Sequence, residues 1–127
     1  MDRIRNGYEA FFRGDVDTTV EILHPDVLGV DPPDMPDTGS YRGREPFKQR
    51  LLSFLELFDD VTLRELRTES LGDQVLVLLS IDARARGGGL PVEVRLAYAL
   101  ELDDDGLATD VHVFFTEDEA RAYLANR

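Results

Sequence analysis

Apolar residues recur at helical spacing in the first half of the chain, which predicts three helices. The first helix carries its apolar face on Ile4, Tyr8, Phe11 and Phe12. The second begins at the N-cap Asp15 and ends near His24, because Pro25 disfavours helical geometry in the residue before it. Its apolar face carries Val16, Val20 and Leu23. The third begins near Pro46 and buries Phe47, Leu51, Phe54, Leu55 and Phe58.

Between the second and third helices, the pattern predicts one short strand over 27–33 that is interrupted by two prolines. The segment from Asp31 to Ser40 holds three Pro, three Asp and one Gly, which is typical of a loop. The strand is therefore expected to end at the start of this loop.

Beyond Asp60 the apolar period changes from about 3.6 residues to about 2, which predicts an antiparallel meander. The strands are expected over 61–71, 74–86, 90–103 and 107–115, with Gly- and Asp-rich turns between them. Thr116 and Glu119 then form a capping box for a closing helix. Helices followed by strands indicate an α+β fold with the helices on one face of a curved sheet. No change in composition marks a linker, so we expect a single domain over 1–127.

The register of the last two strands separates an apolar face from a mixed one. We expect Leu102 to pair with Leu107, which places Tyr98 opposite Val111 and Ala97 opposite His112. The face that is expected to meet the helices carries Val92, Val94, Leu96, Tyr98, Leu100, Val111, Val113 and Phe115. The other face carries Glu93, Arg95, Ala97, Ala99, Glu101, Asp110, His112 and Phe114.

The strand over 74–86 is apolar on both of its faces, so each face needs a cover. The helices are expected to cover one face only. A second copy of the sheet is the simplest cover for the other, which predicts a homodimer packed sheet to sheet.

Composition and charge exclude several kinds of protein. The chain has 127 residues, no Cys and a formal charge of −12, so disulfides, thiolate metal sites and Cys nucleophiles are absent. The charge repels nucleic acid and anionic membranes, and the acids fall mostly at caps and turns, where they favour solubility. No signal peptide or apolar run of about 20 residues is present, so a cytoplasmic location and no membrane partner are expected.

Four segments carry a resemblance to a known family: YEAFFRGDVDTTVEILHPDV (8–27), GSYRGREPFKQRL (39–51), GDQVLVLLSI (72–81) and RLAYALELDDDGLATDVHVFFTEDEA (95–120). The most specific parts are RGD at 13–15 and YRGRE at 41–45. The sequence resembles the SnoaL-like branch of the NTF2-like, or ketosteroid isomerase-like, superfamily. This resemblance implies a cone, in which a curved sheet wraps around the helices and leaves an apolar pocket for a small hydrophobic molecule. The fold hosts isomerases, cyclases, dehydratases, epoxide hydrolases and binding modules, so it does not by itself define an activity.

The resemblance points to Asp31 as a catalytic base. Related isomerases place this base directly before a proline at the end of the first short strand, and Asp31 and Pro32 match that position. A carboxylate that is partly withdrawn from water can move a proton between carbon atoms. The alternative is an Asp that only starts the loop.

Two tyrosines are the candidate hydrogen-bond donors. Tyr98 falls where those isomerases carry the protonated Asp of their oxyanion hole, and a neutral hydroxyl can also polarise a carbonyl. Tyr8 lies on the first helix, one residue beyond the ungapped match at Gly7, and fits if the following turn is one residue shorter. The alternative for both tyrosines is packing in the core.

The two histidines are weaker candidates. The register places His112 on the face away from Tyr98, and His24 lies at a predicted helix end. With no Cys and distant histidines, no metal is expected. Asp34 and Asp37 lie in the loop over the expected pocket mouth, as lid residues or as solvated acids.

Two hypotheses follow. In the first, the protein is a small enzyme that binds a hydrophobic, carbonyl-bearing molecule and needs no cofactor, with Asp31 as base and Tyr98 or Tyr8 as donor. In the second, it is a non-catalytic module that uses the pocket only for ligand binding, or that only dimerises.

Overall fold

A computed structural model describes residues 2–32 and 39–126 of the chain. The helices are α1 (Asp2–Phe12), α2 (Val16–Val20), α3 (Arg44–Glu56) and α4 (Glu117–Ala125). The strands are β1 (Leu23–Val30), β2 (Ser40–Arg42), β3 (Phe58–Leu71), β4 (Gln74–Ala85), β5 (Pro91–Leu102) and β6 (Ala108–Phe114). In the described residues they form one curved sheet in the order β2-β1-β6-β5-β4-β3. The predicted α+β class is confirmed.

The main core lies between α1–α3 and one face of the sheet, which we call the inner face. Residues of the first helix and of four strands supply its fully buried side chains: Ile4, Leu23, Val27, Val75, Val77, Ile81, Leu100 and Val111. The alternation of these residues along each strand fixes which side faces the helices. The predicted inner face of β5 and β6 is therefore correct.

The predicted pairing of β5 with β6 is wrong by two residues, although the faces are right. Tyr98 lies opposite Val113, not Val111, and His112 lies opposite Ala99, not Ala97. The ladder shifts between Glu101 and Leu102, and the Asp103 carboxylate accepts hydrogen bonds from the turn, which the simple pairing did not include. A shift of two residues preserves the faces because side chains alternate with a period of two.

The opposite side of the sheet, the outer face, is covered in part by α4. A second buried cluster joins this helix to β4 and β5: Leu76, Ala97, Ala99, Ala120 and Leu124. The small alanines on β5 let the helix approach closely, and Thr116 caps it by accepting a hydrogen bond from the Glu119 N–H. The expectation that the helices cover only one face is wrong, because the closing helix of the same chain buries Leu76.

The junction of α2 and β1 differs from the prediction. The helix ends at Val20, and Leu23 and His24 belong to the strand. The Ala108 N–H donates to the Ile22 carbonyl at 2.8 Å, so pairing with β6 draws this segment into the sheet. Pro25, which has no N–H to donate, lies where the β1–β6 ladder is interrupted.

Two further boundaries differ, and one prediction lies outside the described residues. Phe58 begins β3 instead of extending the third helix, and the three-residue strand β2 was not predicted because it is too short to show alternation. Asp34 and Asp37 lie outside the described residues. No helix in the described part of the chain is long and apolar enough to cross a membrane.

Candidate functional site

A cavity of about 260 Å³ lies between the helices and the inner face of the sheet. Most of its wall is apolar and comes from α1, α3 and the inner-face strands, including Phe11, Phe54, Leu79, Val94, Leu96 and Val113. Among the described residues, only two charged side chains line this cavity, Asp31 and Arg50. This volume lies just below the range of about 300–1,000 Å³ that is typical of pockets for drug-sized ligands, so the cavity suits a molecule smaller than those.

All three side chains singled out from the sequence line this cavity: Asp31, Tyr8 and Tyr98. Asp31 directly follows β1, and its backbone N–H donates to the Gly39 carbonyl at 3.1 Å, which anchors the start of the loop. Tyr98 projects from the inner face of β5, and Tyr8 lies on the apolar face of α1. Their rings meet edge to face with centroids 5.1 Å apart, an arrangement that aromatic pairs prefer.

Two further polar residues of the wall were not predicted, Tyr41 on β2 and Arg50 on α3. Arg50 Nη1 lies 3.0 Å from Asp31 Oδ2, and the two side chains are 46% and 12% exposed. The guanidinium also lies over the Tyr41 ring, 4.8 Å from its centroid. A signal for Arg50 was present, since it stands directly before Leu51 and three residues after Phe47 on the apolar side of the third helix.

Gly29 lets the Tyr41 ring lie directly against β1. A Cβ built at this position would stand 2.4 Å from Tyr41 Cζ and 2.7 Å from its hydroxyl oxygen, closer than real atoms approach. Tyr41 also packs edge to face on Phe47, with centroids 5.7 Å apart. The ring is thus held from two sides, and it supports Arg50 beside Asp31.

The three tyrosines are neutral hydrogen-bond donors at physiological pH. Burial, and then the neighbouring Tyr98 and Tyr41, raise the pKa of Tyr8 well above its usual value. Burial and the nearby Tyr41 likewise raise the pKa of Tyr98. Burial and the Asp31 charge raise the pKa of Tyr41 to about 12, against the opposing effect of Arg50. Tyr8, Tyr98 and Tyr41 line the same cavity as the Asp31–Arg50 ion pair.

The hydroxyls are also open to a bound molecule. In the described residues, every side-chain polar atom that is sealed from solvent has a hydrogen-bond partner. The hydroxyls of Tyr8, Tyr41 and Tyr98 have no hydrogen bond to another described residue, so they reach accessible space. Neutral donors in an apolar cavity are suited to a carbonyl or enolate oxygen.

The histidines lie away from this cavity. His112 is on the outer face, where its ring stacks on Tyr123 of α4 and its Nε2 lies 2.8 Å from the Tyr123 hydroxyl. The His24 ring accepts a hydrogen bond from the Asp26 N–H at 2.9 Å. Within residues 2–32 and 39–126, no group of three or more His, Asp or Glu side chains is placed to hold a metal ion.

The fold and the cavity define an α+β protein of the NTF2-like class, with its cavity enclosed between helices and a curved sheet. The family model of the SnoaL-like domain matches residues 4–111. The chain therefore belongs to this family. No protein with a curated description matches the sequence significantly.

Solved structures support the same fold. An NTF2-like protein of unknown function from Burkholderia pseudomallei is 21% identical with a TM-score of 0.79, over 94% of this chain and 92% of that chain. The protein TerC, co-crystallised with polyporic acid, is 22% identical with a TM-score of 0.76, over 99% and 97%. A protein from Mesorhizobium loti, provisionally described as a SnoaL-like polyketide cyclase, is 16% identical with a TM-score of 0.65, over 90% and 97%. At these identities the similarity defines the fold alone.

Proposed function

We propose that the protein binds a small hydrophobic, carbonyl-bearing molecule and moves a proton within it without a cofactor, as in an isomerase or cyclase reaction. One observation carries the proposal: a carboxylate and three neutral tyrosine hydroxyls line the same apolar cavity. A base and an oxyanion donor are the two groups that proton abstraction next to a carbonyl needs. The polyporic acid in TerC supports a ligand-binding use of such a fold.

In the proposed reaction, Asp31 removes a proton from the carbon next to the ligand carbonyl. The electron pair of that C–H bond forms a C=C bond, and the carbonyl π pair moves onto oxygen to give an enolate. The hydroxyls of Tyr98 and Tyr8 donate hydrogen bonds to this oxygen. Asp31 then returns the proton to another carbon, so that the product is an isomer of the substrate and the carboxylate is restored.

Isomerisation of cyclohex-3-enone to cyclohex-2-enone tests this reaction, because the conjugated product absorbs more strongly in the ultraviolet. We expect slow turnover by the wild-type protein and a loss of about 10²-fold or more in Asp31→Asn, the usual contribution of a general base. Asp26→Asn is the matched control, since Asp26 is an exposed acid on β1, the strand that Asp31 directly follows. Equal rates in wild type and Asp31→Asn would remove Asp31 from the mechanism.

Tyr98→Phe and Tyr8→Phe test the oxyanion donors separately. Removal of one donor typically costs about 10²-fold or more in rate. Tyr123→Phe is the control, because this tyrosine lies on the outer face with His112. A rate unchanged by both cavity substitutions would assign Tyr98 and Tyr8 to packing.

A non-catalytic binding protein is the second candidate, and the ion pair of Asp31 with Arg50 favours it. The guanidinium Nη1 lies 3.0 Å from Asp31 Oδ2, so it contacts an oxygen that a general base would turn toward the substrate. The same cyclohexenones separate the candidates when calorimetry is run beside the rate assay. Saturable binding with no turnover supports the binding protein, and turnover that depends on Asp31 supports the enzyme.

We also propose that the chain forms a homodimer through the part of the outer face that α4 leaves uncovered. This surface carries charges of both signs that form exposed ion pairs within the chain, and a second copy related by a twofold axis can exchange partners with them; among them are Arg64, Arg67, Arg95, Glu65 and Glu93. Sedimentation equilibrium at low protein concentration is expected to give twice the chain mass of 14.3 kDa. A species of 14.3 kDa would contradict this proposal.

A further inference from the structure

The described contacts of the Arg50 guanidinium are with two residues of the cavity wall. Its Nη1 faces the Asp31 carboxylate, and its plane rests on the Tyr41 ring. A guanidinium has five N–H donors, so most of them are not taken up by the Asp31 contact. Nearly half of the side chain is exposed, which leaves room for a ligand oxygen beside Asp31.

The proposed proton transfer changes the charge beside Arg50. Before the step, Arg50 pairs with the Asp31 carboxylate. When Asp31 takes the proton, its carboxyl becomes neutral and an equal negative charge appears on the ligand oxygen. The positive charge of Arg50, released from Asp31, then attracts the new anion, and water screens this attraction in part because nearly half of the Arg50 side chain is exposed.

From this arrangement we propose that Arg50 is a further catalytic residue, which pairs with Asp31 in the resting protein and with the enolate oxygen of the ligand after proton transfer. The proposal rests on the function proposed above. The net charge of the site stays constant throughout the step. The Tyr41 ring, seated on Gly29, holds the guanidinium where it can reach both partners. Tyr8, Tyr98 and Tyr41 add neutral donors but no charge.

The predicted ligand preference follows directly. The cavity should bind an anionic oxygen poorly while Asp31 is ionised and well once that carboxyl is neutral. Pentafluorophenolate is a suitable probe, because it is a small aromatic anion that resembles an enolate. Asp31→Asn supplies a neutral side chain of the same shape in place of the protonated base.

Isothermal titration calorimetry with pentafluorophenol at neutral pH tests this preference in four proteins: wild type, Asp31→Asn, Arg50→Gln and the double variant. We expect Asp31→Asn to bind about 10-fold tighter or more, as for a hydrogen bond to a charged group. The gain should disappear in the double variant. Arg42→Gln, combined with Asp31→Asn, is the control, because it removes one positive charge from the neighbouring strand β2 outside the cavity lining.

Each outcome bears on a different statement. Tighter binding in Asp31→Asn that persists without Arg50 would overturn the role of Arg50, as would equal binding in all four proteins. Both results leave the cavity as a ligand site. Absence of binding by pentafluorophenol and by cyclohexenone would overturn the proposed function itself. Loss of the gain in the double variant, with the gain retained in the Arg42 control, supports the proposal.

Discussion

Substitution of Gly29 by Ala tests whether the close contact of β1 with Tyr41 positions the site. The added methyl group would stand 2.4, 2.5 and 2.7 Å from three atoms of the Tyr41 side chain. Carbon atoms in contact prefer about 3.5–4.0 Å, so the ring must move by about 1 Å or more. Because the Tyr41 ring supports Arg50, the Arg50–Asp31 pair is expected to move with it.

The cost in stability should be small, and the effect on the site large. Overpacking costs about 1–3 kcal/mol when nothing can yield, but the clashing atoms are the far end of a half-buried side chain. Ala also gains about 0.5–1 kcal/mol over Gly within a strand. We therefore expect the free energy of unfolding to fall by about 1 kcal/mol or less. A displacement of about 1 Å at a reacting geometry can cost about 10²-fold in rate.

Urea unfolding, the cyclohexenone assay and the NMR signals of the Tyr41 ring measure these effects together. Gly39→Ala is the matched control, because a Cβ there meets no atom of residues 2–32 or 39–126 within 4 Å. We expect Gly29→Ala to shift the Tyr41 signals and to reduce turnover, with Gly39→Ala unchanged in both. Unshifted Tyr41 signals in Gly29→Ala would refute the contact on which this reasoning depends.

Two further predictions concern stability. Leu76→Ala should lower the free energy of unfolding by about 2–5 kcal/mol, because α4 covers this fully buried side chain. The control Leu71→Ala should change it little, because Leu71 is exposed. A loss of stability that depends on protein concentration would instead show that a second copy covers Leu76. The raised pKa of Tyr41, about 12 against 10.0 in the unfolded chain, means that the folded state holds this proton more tightly. The stability that the protonated Tyr41 hydroxyl contributes is therefore complete below pH 10 and is lost as the pH rises through 12. Urea unfolding on either side of pH 10 should show a smaller alkaline loss in Tyr41→Phe than in wild type, and an equal loss would contradict the assigned burial.

The periodicity of the chain predicts most of the fold because burial and backbone geometry follow from nearby residues. The alternation in 91–102 and 108–114 assigned the inner face correctly, even though the pairing was displaced by two residues. That displacement depends on the turn around Asp103 and on an irregularity beside Glu101, which strand alternation does not encode. The predicted end of α2 is wrong because β6, which is far away in the sequence, pairs with the segment after Val20 and draws it into the sheet.

The candidate site could be predicted only in part, for a related reason. Asp31 is predicted from the resemblance and its position before Pro32, and Tyr8 and Tyr98 from the resemblance and their positions on apolar faces. Tyr41 and Arg50 depend on contacts between three elements that are far apart in the chain. The close approach at Gly29 is equally invisible in the sequence, since its backbone needs no left-handed conformation. The burial of Leu76 under α4 could not be predicted, because the sequence does not show which face of the sheet the closing helix packs against.

We propose above that the cavity beside Asp31 binds a carbonyl-bearing molecule through the tyrosine hydroxyls. A crystal structure of the protein soaked with cyclohex-2-enone tests it most directly. We predict that the ring lies against the apolar wall, with its oxygen within hydrogen-bond distance of Tyr98 or Tyr8 and a ring carbon beside Asp31. Cyclohexenone bound only on the outer face, with the cavity beside Asp31 empty of it, would contradict the account.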